Sequence, residues 1–245
     1  MLINERYDLI LKYLKEKETV SVKELTGVTK SSEATIRRDL IELEKKALLK
    51  RVHGGATVID DNIELSMASK TSINREEKEI IAKFAASIVN DGEYIFLDAG
   101  STTFQMIKYL SKKKIKVVTN GIDHILELVK YNISSYVIGG EIKETTRALI
   151  GIEAYEQILK HNFSRAFLGV NSLSYERGYS TPDTEEALIK KTVINLSKKS
   201  YILADNSKFG KNSFCKFGKL EEAIIITDKL IDKRFKEKTI VKECK

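Results

Sequence analysis

The stretch Thr35-Ile36-Arg37-Arg38-Asp39-Leu40 decides the fold of the first part of the chain, and Arg51-Val52-His53-Gly54-Gly55-Ala56 follows it after a short apolar segment. Ile36, Leu40 and Leu43 are four and three residues apart, so a helix buries them on one face. The two adjacent arginines then lie away from that face, toward solvent or a ligand. The pattern predicts an amphipathic helix with a basic exposed side.

Two further helices are predicted before this one. An apolar stripe predicts the first over about residues 5–17, with Asn4 as its N-cap. The capping box Ser21-Val22-Lys23-Glu24 opens a short second helix, and Ser32 would cap the third. Residues 48–52 and 56–59 are then predicted strands, joined by a turn at Gly54-Gly55. Three helices followed by a hairpin make a winged helix-turn-helix.

A winged helix-turn-helix with this surface suits double-stranded DNA, because arginine donates paired hydrogen bonds to guanine edges and phosphates. We expect Thr35 and Arg38 to contact base edges, while Arg37, Lys50 and Arg51 hold phosphates. The wing histidine has two open roles, since it could contact DNA or brace the turn. The predicted DNA-facing set is Ser32, Thr35, Arg37, Arg38, Lys50, Arg51, His53 and Gly54.

Residues 4–58 resemble the N-terminal domain of the DeoR family of bacterial transcription regulators. The resemblance rests on the arginine-arginine-aspartate helix and the histidine-glycine-glycine wing. The chain departs from the family at Thr29 and Ser31, where an apolar residue and a valine are usual. The resemblance implies operator binding by a homodimer or a higher oligomer, with recognition helices on successive major grooves of a repeated or palindromic site.

Length and composition fit two ordinary domains. The 245 residues are 42% hydrophobic, which is enough for two separate cores. No stretch is long enough to cross a bilayer and the first residues lack the features of a signal peptide, so we expect a cytoplasmic protein. Cys215 and Cys244 match neither a disulfide framework nor a zinc motif.

The net charge of the chain is +7, and the positive charge per residue is only slightly higher before residue 58 than after it. The prediction of DNA binding therefore rests on the motif and not on the charge.

The polar segment 59–74 is the predicted linker between a DNA-binding domain, residues 1–58, and a second domain, residues 75–245. In the second domain short apolar runs alternate with helical segments, which predicts an α/β fold with a mainly parallel sheet. The runs are residues 94–97, 117–118, 136–138, 166–168, 201–204 and 223–226.

Glycines and polar residues follow nearly every run, and the carboxyl ends of parallel strands share the edge where ligands bind. Asp98-Ala99-Gly100-Ser101-Thr102-Thr103 directly precedes a helix, so its hydroxyls and free amides form a phosphate cradle, to which Lys208 would add a counter-charge. The spacing fits neither a P-loop nor a dinucleotide fingerprint, so a smaller phosphorylated ligand fits better. For Asn120-Gly121 and Gly139-Gly140, plain turn chemistry is the alternative.

Residues 75–230 also resemble the sensor domain of the family, whose fold is similar to ribose-5-phosphate isomerase and glucosamine-6-phosphate deaminase. The matching positions include the pair Glu186 and Lys190, while Ser101 is a small departure. The resemblance implies that a phosphorylated sugar binds the sensor and changes operator affinity, usually relieving repression. The predicted effector-binding set is Asp98, Gly100, Ser101, Thr102, Thr103, Thr119, Asn120, Gly140, Asp205 and Lys208.

The sequence therefore predicts a DNA-binding repressor of a sugar-catabolism operon, with no cofactor, metal, membrane contact or catalytic residue. The competing hypothesis is a sugar-phosphate isomerase or deaminase with an accessory DNA-binding domain. The carboxylates that could transfer protons in it are Asp98, Asp123, Glu186 and Asp205. The acid/base arrangement of those enzymes is not evident in the sequence. A sugar-phosphate binding module alone would leave the recognition helix and the wing unexplained.

Overall fold

The computed structural model describes residues 2–45, 48–58 and 64–244, with the side chains of Asn4 and Lys15 left out. The chain forms two compact units, Met1–Ile73 and Asn74–Lys245. Of the predicted linker, residues 59–63 lie outside the described part. Within the described residues, no helix combines the length and the apolar character that a membrane span requires.

The first unit is a winged helix-turn-helix, which confirms the prediction. Its helices and strands are α1 (Ile3–Lys17), β1 (Thr19–Ser21), α2 (Val22–Thr29), α3 (Glu33–Lys45), β2 (Lys50–Val52), β3 (Gly55–Thr57) and α4 (Met67–Ser72). The strands form an antiparallel sheet in the order β1-β3-β2, so β2 is an edge strand. The sequence did not predict β1, and Ile59 of the predicted return strand lies outside the described residues.

Two local predictions in this unit are wrong. Helix α1 begins at Ile3 with Leu2 as its N-cap residue, and the Glu5 carboxylate accepts the Leu2 amide at 2.9 Å, so the helix starts before Asn4. Part of the predicted irregular linker is helix α4, which is capped by the Ser66 hydroxyl, since this accepts the first-turn amide of Ser69 at 3.2 Å.

The core of the first unit lies under α3. Ile36, Leu40 and Leu43 are buried, as their spacing predicts. Asp39 is also buried, and Arg6 of α1 donates two hydrogen bonds to its carboxylate, at 2.5 Å and 3.0 Å. The aspartate of the arginine-arginine-aspartate motif therefore joins α3 to α1, on the opposite side from the exposed arginines.

The hydroxyls at the unusual positions before α3 are satisfied locally. Thr29 is buried, and its hydroxyl donates to the Leu25 carbonyl at 2.7 Å within α2. The Ser31 hydroxyl donates to the Thr29 carbonyl at 3.3 Å. These bonds remove the cost of placing polar side chains where the family usually has apolar ones.

The second unit is an α/β domain. Its first elements are α5 (Arg75–Ser87), β4 (Tyr94–Leu97), α6 (Ser101–Leu110), β5 (Lys116–Thr119), α7 (Ile122–Lys130), β6 (Ser135–Val137), β7 (Glu141–Lys143), β8 (Ala148–Ile150) and α8 (Ile152–Ile158). The remainder are β9 (Arg165–Gly169), β10 (Ser172–Ser174), β11 (Gly178–Thr181), α9 (Thr184–Asn195), β12 (Ser200–Leu203), β13 (Cys215–Gly218), β14 (Ile224–Thr227), α10 (Phe235–Lys238) and β15 (Val241–Glu243). Short 3-10 turns lie at Asn206–Lys208 and Leu220–Glu222.

Seven parallel strands form the main sheet, in the order β15-β14-β12-β9-β4-β5-β6. All six predicted runs contribute to it. Alternate strand residues pack into two separate cores: Phe96 and Leu168 face one, whereas Leu97 and Phe167 face the other. Burial on both faces is why these strands have continuous apolar sequences. The seventh strand, the β7–β8 hairpin and the small β10-β11-β13 sheet were not predicted.

His124 of α7 is buried beside the start of α6. The Thr103 hydroxyl lies 2.6 Å from the Asp98 carbonyl and 2.8 Å from the Gly100 carbonyl, so its single proton points toward these acceptors. The His124 Nε2, 3.2 Å from the same hydroxyl, must then be the donor. Burial favours the neutral ring and lowers the pKa of His124 to about 4.

Replacing Gly55 should disrupt the wing. A Cβ at Gly55 would lie 2.1 Å from the Val20 carbonyl oxygen of the neighbouring strand, so Gly55→Ala should lower the free energy of unfolding by about 2 kcal/mol or more. Chemical denaturation measures the change. Gly27→Ala is the control, because a Cβ there meets nothing within 4 Å, and alanine in α2 should be neutral or stabilising by up to about 1 kcal/mol. Equal effects of the two changes would contradict this explanation.

Lowering the pH should destabilise the second unit through His124. In the unfolded chain His124 binds a proton near pH 6.5, but in the folded chain only near pH 4. The contribution of the neutral ring to the free energy of unfolding is therefore complete above pH 6.5 and is lost as the pH falls from 6.5 to 4. Its full size is about 3 kcal/mol. His124→Asn should flatten the fall in unfolding free energy between pH 6.5 and 5, whereas His161→Asn should retain it. A fall that is as steep in His124→Asn as in the wild type would refute the assignment.

Candidate functional site

The exposed face of α3 carries the predicted base-contacting residues. Arg37 and Arg38 are exposed and Thr35 is half-buried. Ser32 caps the helix, since its hydroxyl accepts the Thr35 amide at 3.2 Å and lies 2.9 Å from the Thr35 hydroxyl. Ser32 therefore stabilises the start of α3. The two arginines form the surface that can enter a groove of DNA.

The wing is held by its backbone. Gly54 has a φ of 77°, a conformation that favours glycine, and its carbonyl accepts the Val22 amide at the start of α2 at 2.8 Å. The exposed His53 forms no hydrogen bond within the described residues. The alternative in which His53 braces the turn therefore has no bond to support it in this conformation.

A cleft of ≈ 230 Å³ separates α3 from the wing. Its polar lining brings together four residues of the predicted DNA-facing set, Arg37, Arg51, His53 and Gly54. The apolar floor and the remaining walls are Val22, Leu40, Val52 and Gly55. A concave surface with two arginines fits a phosphate of the DNA backbone.

The exposed basic residues differ in their partners. Arg37 lies 3.5 Å from the Glu33 carboxylate, and the Arg51 guanidinium lies 3.7 Å from that of Glu44. Arg38 forms neither an ion pair nor a side-chain hydrogen bond in the part of the chain that the structure describes. Its donors are thus unengaged in this conformation, as a base-reading side chain requires.

In the second unit, a buried ion pair joins two loops at the carboxyl edge of the sheet. Asp98 follows β4, and its carboxylate binds the Lys190 ammonium and accepts the Gly169 amide at 2.9 Å. Lys190 also donates to the Gly169 carbonyl at 3.2 Å. Both charged side chains are almost completely buried. Asp98 therefore fixes the loop after β4 against the end of β9.

Asn120 connects the same loop to the β7–β8 hairpin. Its side-chain oxygen accepts the Ala99 amide at 3.0 Å, and its amide nitrogen donates to the Leu149 carbonyl at 3.2 Å. The neighbouring Thr119 hydroxyl accepts the Gly121 amide at 3.1 Å. These two predicted effector residues thus use their side chains to hold the loops in place.

The start of α6 is the strongest candidate for an anion site. Gly100 is its N-cap residue, and Ser101, Thr102 and Thr103 form its first turn with their side chains buried. The first amides of a helix have no acceptor within the helix and carry the positive end of its dipole. The Thr103 hydroxyl is occupied by carbonyls, so the amides and the hydroxyls of Ser101 and Thr102 remain as donors to a ligand.

Other predicted effector residues have structural partners. Asp205 accepts the Asn74 side chain at 2.9 Å and the Ser207 amide at 3.1 Å, and Lys208 ends the same 3-10 turn. Gly140 has a φ of 144°, and a Cβ there would lie 2.3 Å from the Ile150 carbonyl oxygen. Close backbone packing accounts for this glycine.

Sequence reasoning missed one polar cluster near the start of α9. Lys143 of the hairpin lies 3.2 Å from Asp183 and 3.3 Å from Glu186, which also accepts the Thr146 hydroxyl at 2.6 Å. Burial opposes ionisation of Asp183, but bonds from the Glu186 amide and from Lys143 hold its pKa below the ordinary value. The hairpin itself was not predicted, so no sequence signal could place its lysine beside these acids.

The carboxylates of the enzyme hypothesis are all engaged. Asp98 and Glu186 are paired with lysines, and Asp205 accepts an asparagine side chain. Asp123 lies 2.9 Å from the Arg147 guanidinium. Among the described residues, no cluster of histidine, cysteine and acidic side chains has the arrangement of a metal site.

Comparison with known proteins covers nearly the whole chain. The DeoR-like helix-turn-helix domain matches residues 6–62, and the DeoR C terminal sensor domain matches residues 73–229. The chain is 44% identical to the uncharacterized HTH-type transcriptional regulator FruR of Bacillus subtilis (strain 168), covering 100% of both chains. It is 32% identical to the lactose phosphotransferase system repressor of Staphylococcus aureus (strain NCTC 8325 / PS 47), covering 89% of each chain.

Solved structures that match include ribose 5-phosphate isomerase A from Methanocaldococcus jannaschii. The match covers 56% of this chain and 55% of the isomerase, with a TM-score of 0.42 and 18% identity. The family assignment rests on the two matched domains and on the full-length relatives. The chain belongs to the DeoR family of DNA-binding transcription regulators.

Proposed function

We propose that this chain represses a sugar-catabolism operon and that a phosphorylated sugar, bound at the start of α6, sets its affinity for operator DNA. The observation that carries the proposal is the loop Asp98–Thr103, whose shape is fixed by Lys190 and Asn120 while the first amides of α6 and the hydroxyls of Ser101 and Thr102 are left as donors for a ligand. The start of a helix binds anions, and phosphate is one of the groups commonly bound there. The name of the lactose phosphotransferase system repressor supports the same class of function.

Control by an effector requires a difference in affinity. A sugar phosphate can weaken DNA binding only by as much as it prefers the conformation that binds DNA poorly. The loop after β4 is bonded to the β7–β8 hairpin through Asn120 and to β9 through Asp98. A ligand that shifts the loop would therefore also shift the hairpin and the end of β9. Relief of repression is the proposed direction.

The proposed assembly is a homodimer or a higher homo-oligomer in the cytoplasm. A two-fold axis would place two α3 helices about 34 to 36 Å apart, the spacing of successive major grooves. The operator is then a repeated or palindromic sequence. Isomerase or deaminase activity is the second candidate, and turnover of a sugar phosphate by the purified protein would support it, but each of its carboxylates already has a partner.

Replacing Arg38 should change sequence preference. Arg38 is exposed and unpaired in the described structure, so Arg38→Ala should cost about 1–3 kcal/mol on the operator and relax the choice of base at one position. Arg51→Ala should weaken operator and random DNA by similar factors, because it removes a phosphate contact. Equal losses on both DNAs for Arg38→Ala, measured by equilibrium titration, would refute its base-reading role.

A carboxylate at the start of α6 should abolish the effector response. In Ser101→Asp the new charge repels a phosphate, and the helix dipole offsets part of the cost of a carboxylate at this buried position, so the folded variant should still bind DNA while sugar phosphates no longer release it. Ser111→Asp, at the exposed end of the same helix, is the matched control and should respond like the wild type. Wild-type release by Ser101→Asp would place the phosphate elsewhere.

A further inference from the structure

Glu44 contacts one residue of the wing in two ways. It lies in the last turn of α3, with 40% of its side chain exposed. Its Oε1 accepts the Arg51 amide at 2.7 Å, and its Oε2 lies 3.7 Å from Arg51 Nη1. A single carboxylate therefore holds both the main chain and the guanidinium of an arginine that lines the cleft.

The main-chain contact fixes the position of the wing. Strand β2 has β3 on one side only, where Arg51 is aligned with Ala56, so the other side of β2 is open. The Arg51 amide faces that open side and would otherwise need water or another acceptor. By accepting it, Glu44 attaches the first strand of the wing directly to the end of the recognition helix.

The contact between Glu44 and the Arg51 guanidinium weakens the binding of a phosphate by Arg51. Arg51 and Glu44 are both about half exposed, and exposed ion pairs are weak, so a DNA phosphate can replace the carboxylate. The displaced negative charge then stays near the DNA backbone and opposes binding. Arg37 is paired in the same way with Glu33, at 3.5 Å, whereas Arg38 has no carboxylate partner in the described structure.

We infer that Glu44 is a positioning residue of the DNA interface, which orients the wing through the Arg51 amide and weakens the phosphate contact of Arg51. Binding to DNA of any sequence is thereby reduced, and a larger share of the affinity comes from base contacts. This inference rests on the proposed DNA-binding role of the cleft, and Glu44 is the residue that would adjust the affinity of the cleft for DNA.

The test compares two replacements in the full chain. Glu44→Gln keeps an oxygen that can accept the Arg51 amide but removes the charge, so affinity for the promoter duplex of its own gene and for an unrelated duplex should both rise, by about two- to tenfold. Glu44→Ala also removes the acceptor, so it should bind the promoter duplex more weakly than Glu44→Gln does. A residue with a purely structural role would not give a gain in affinity.

Glu16→Gln is the charge-matched control, because Glu16 is an exposed residue of α1. In an Arg51→Ala background, the gain from Glu44→Gln should shrink to that of Glu16→Gln, since no guanidinium is left to release. A Glu44→Gln affinity no higher than that of Glu16→Gln would overturn the inference while leaving DNA binding intact. Failure of the wild type to bind any promoter duplex would contradict the proposed function and the inference with it.

Discussion

The ion pair between the buried Asp39 and the partly buried Arg6 positions the exposed arginines of α3. Asp39 follows directly after the two exposed arginines of α3, so its side chain points back into the unit while theirs point out. A buried carboxylate is costly unless a cation and hydrogen bonds satisfy it, and the guanidinium of Arg6 supplies both. The rotation of α3 about its axis, and therefore the direction of its arginines, is tied to this pair. Two further bonds place the wing. The Val22 amide at the start of α2 donates to the Gly54 carbonyl, and the Arg51 amide donates to the Glu44 carboxylate at the end of α3.

The second unit also has a buried carboxylate paired with a cation, at the carboxyl edge of its sheet. Asp98 and Lys190 are buried together, and Asn120 bonds on one side to the loop after β4 and on the other to the β7–β8 hairpin. Several residues that were predicted to touch the effector thus hold the loop that would touch it. In both units, buried polar groups give shape to the neighbouring segment at which a charged ligand is proposed to bind. Such networks rigidify a site only when every member has a partner, which these members have.

Periodicity and motifs in the sequence predicted most of the fold, because helix spacing and continuous apolar runs follow directly from which faces are buried. The six runs of the main sheet and the helices α1, α2 and α3 of the first unit were predicted in this way. The strands β7 and β15 were missed because they carry charged residues. The strand β8, Ala148–Ile150, is apolar and buried, but three residues are too short a run to predict a strand. Roles within the sites were harder to predict. Asp39 bonds to Arg6, which lies 33 residues away in the chain, and Lys143 lies on a hairpin that was not predicted. Glu44 bonds to the main chain of Arg51, a contact that no residue pattern specifies.

The most direct test of effector control is the equilibrium affinity of the full chain for the promoter duplex of its own gene, measured across a panel of sugar phosphates and the matched unphosphorylated sugars. We predict tight binding without ligand, and release by one sugar phosphate but not by its unphosphorylated counterpart, because the amides and hydroxyls at the start of α6 are proposed to bind the phosphate. Binding that stays unchanged across the whole panel, or release that occurs equally with the unphosphorylated sugar, would contradict the proposed sensor.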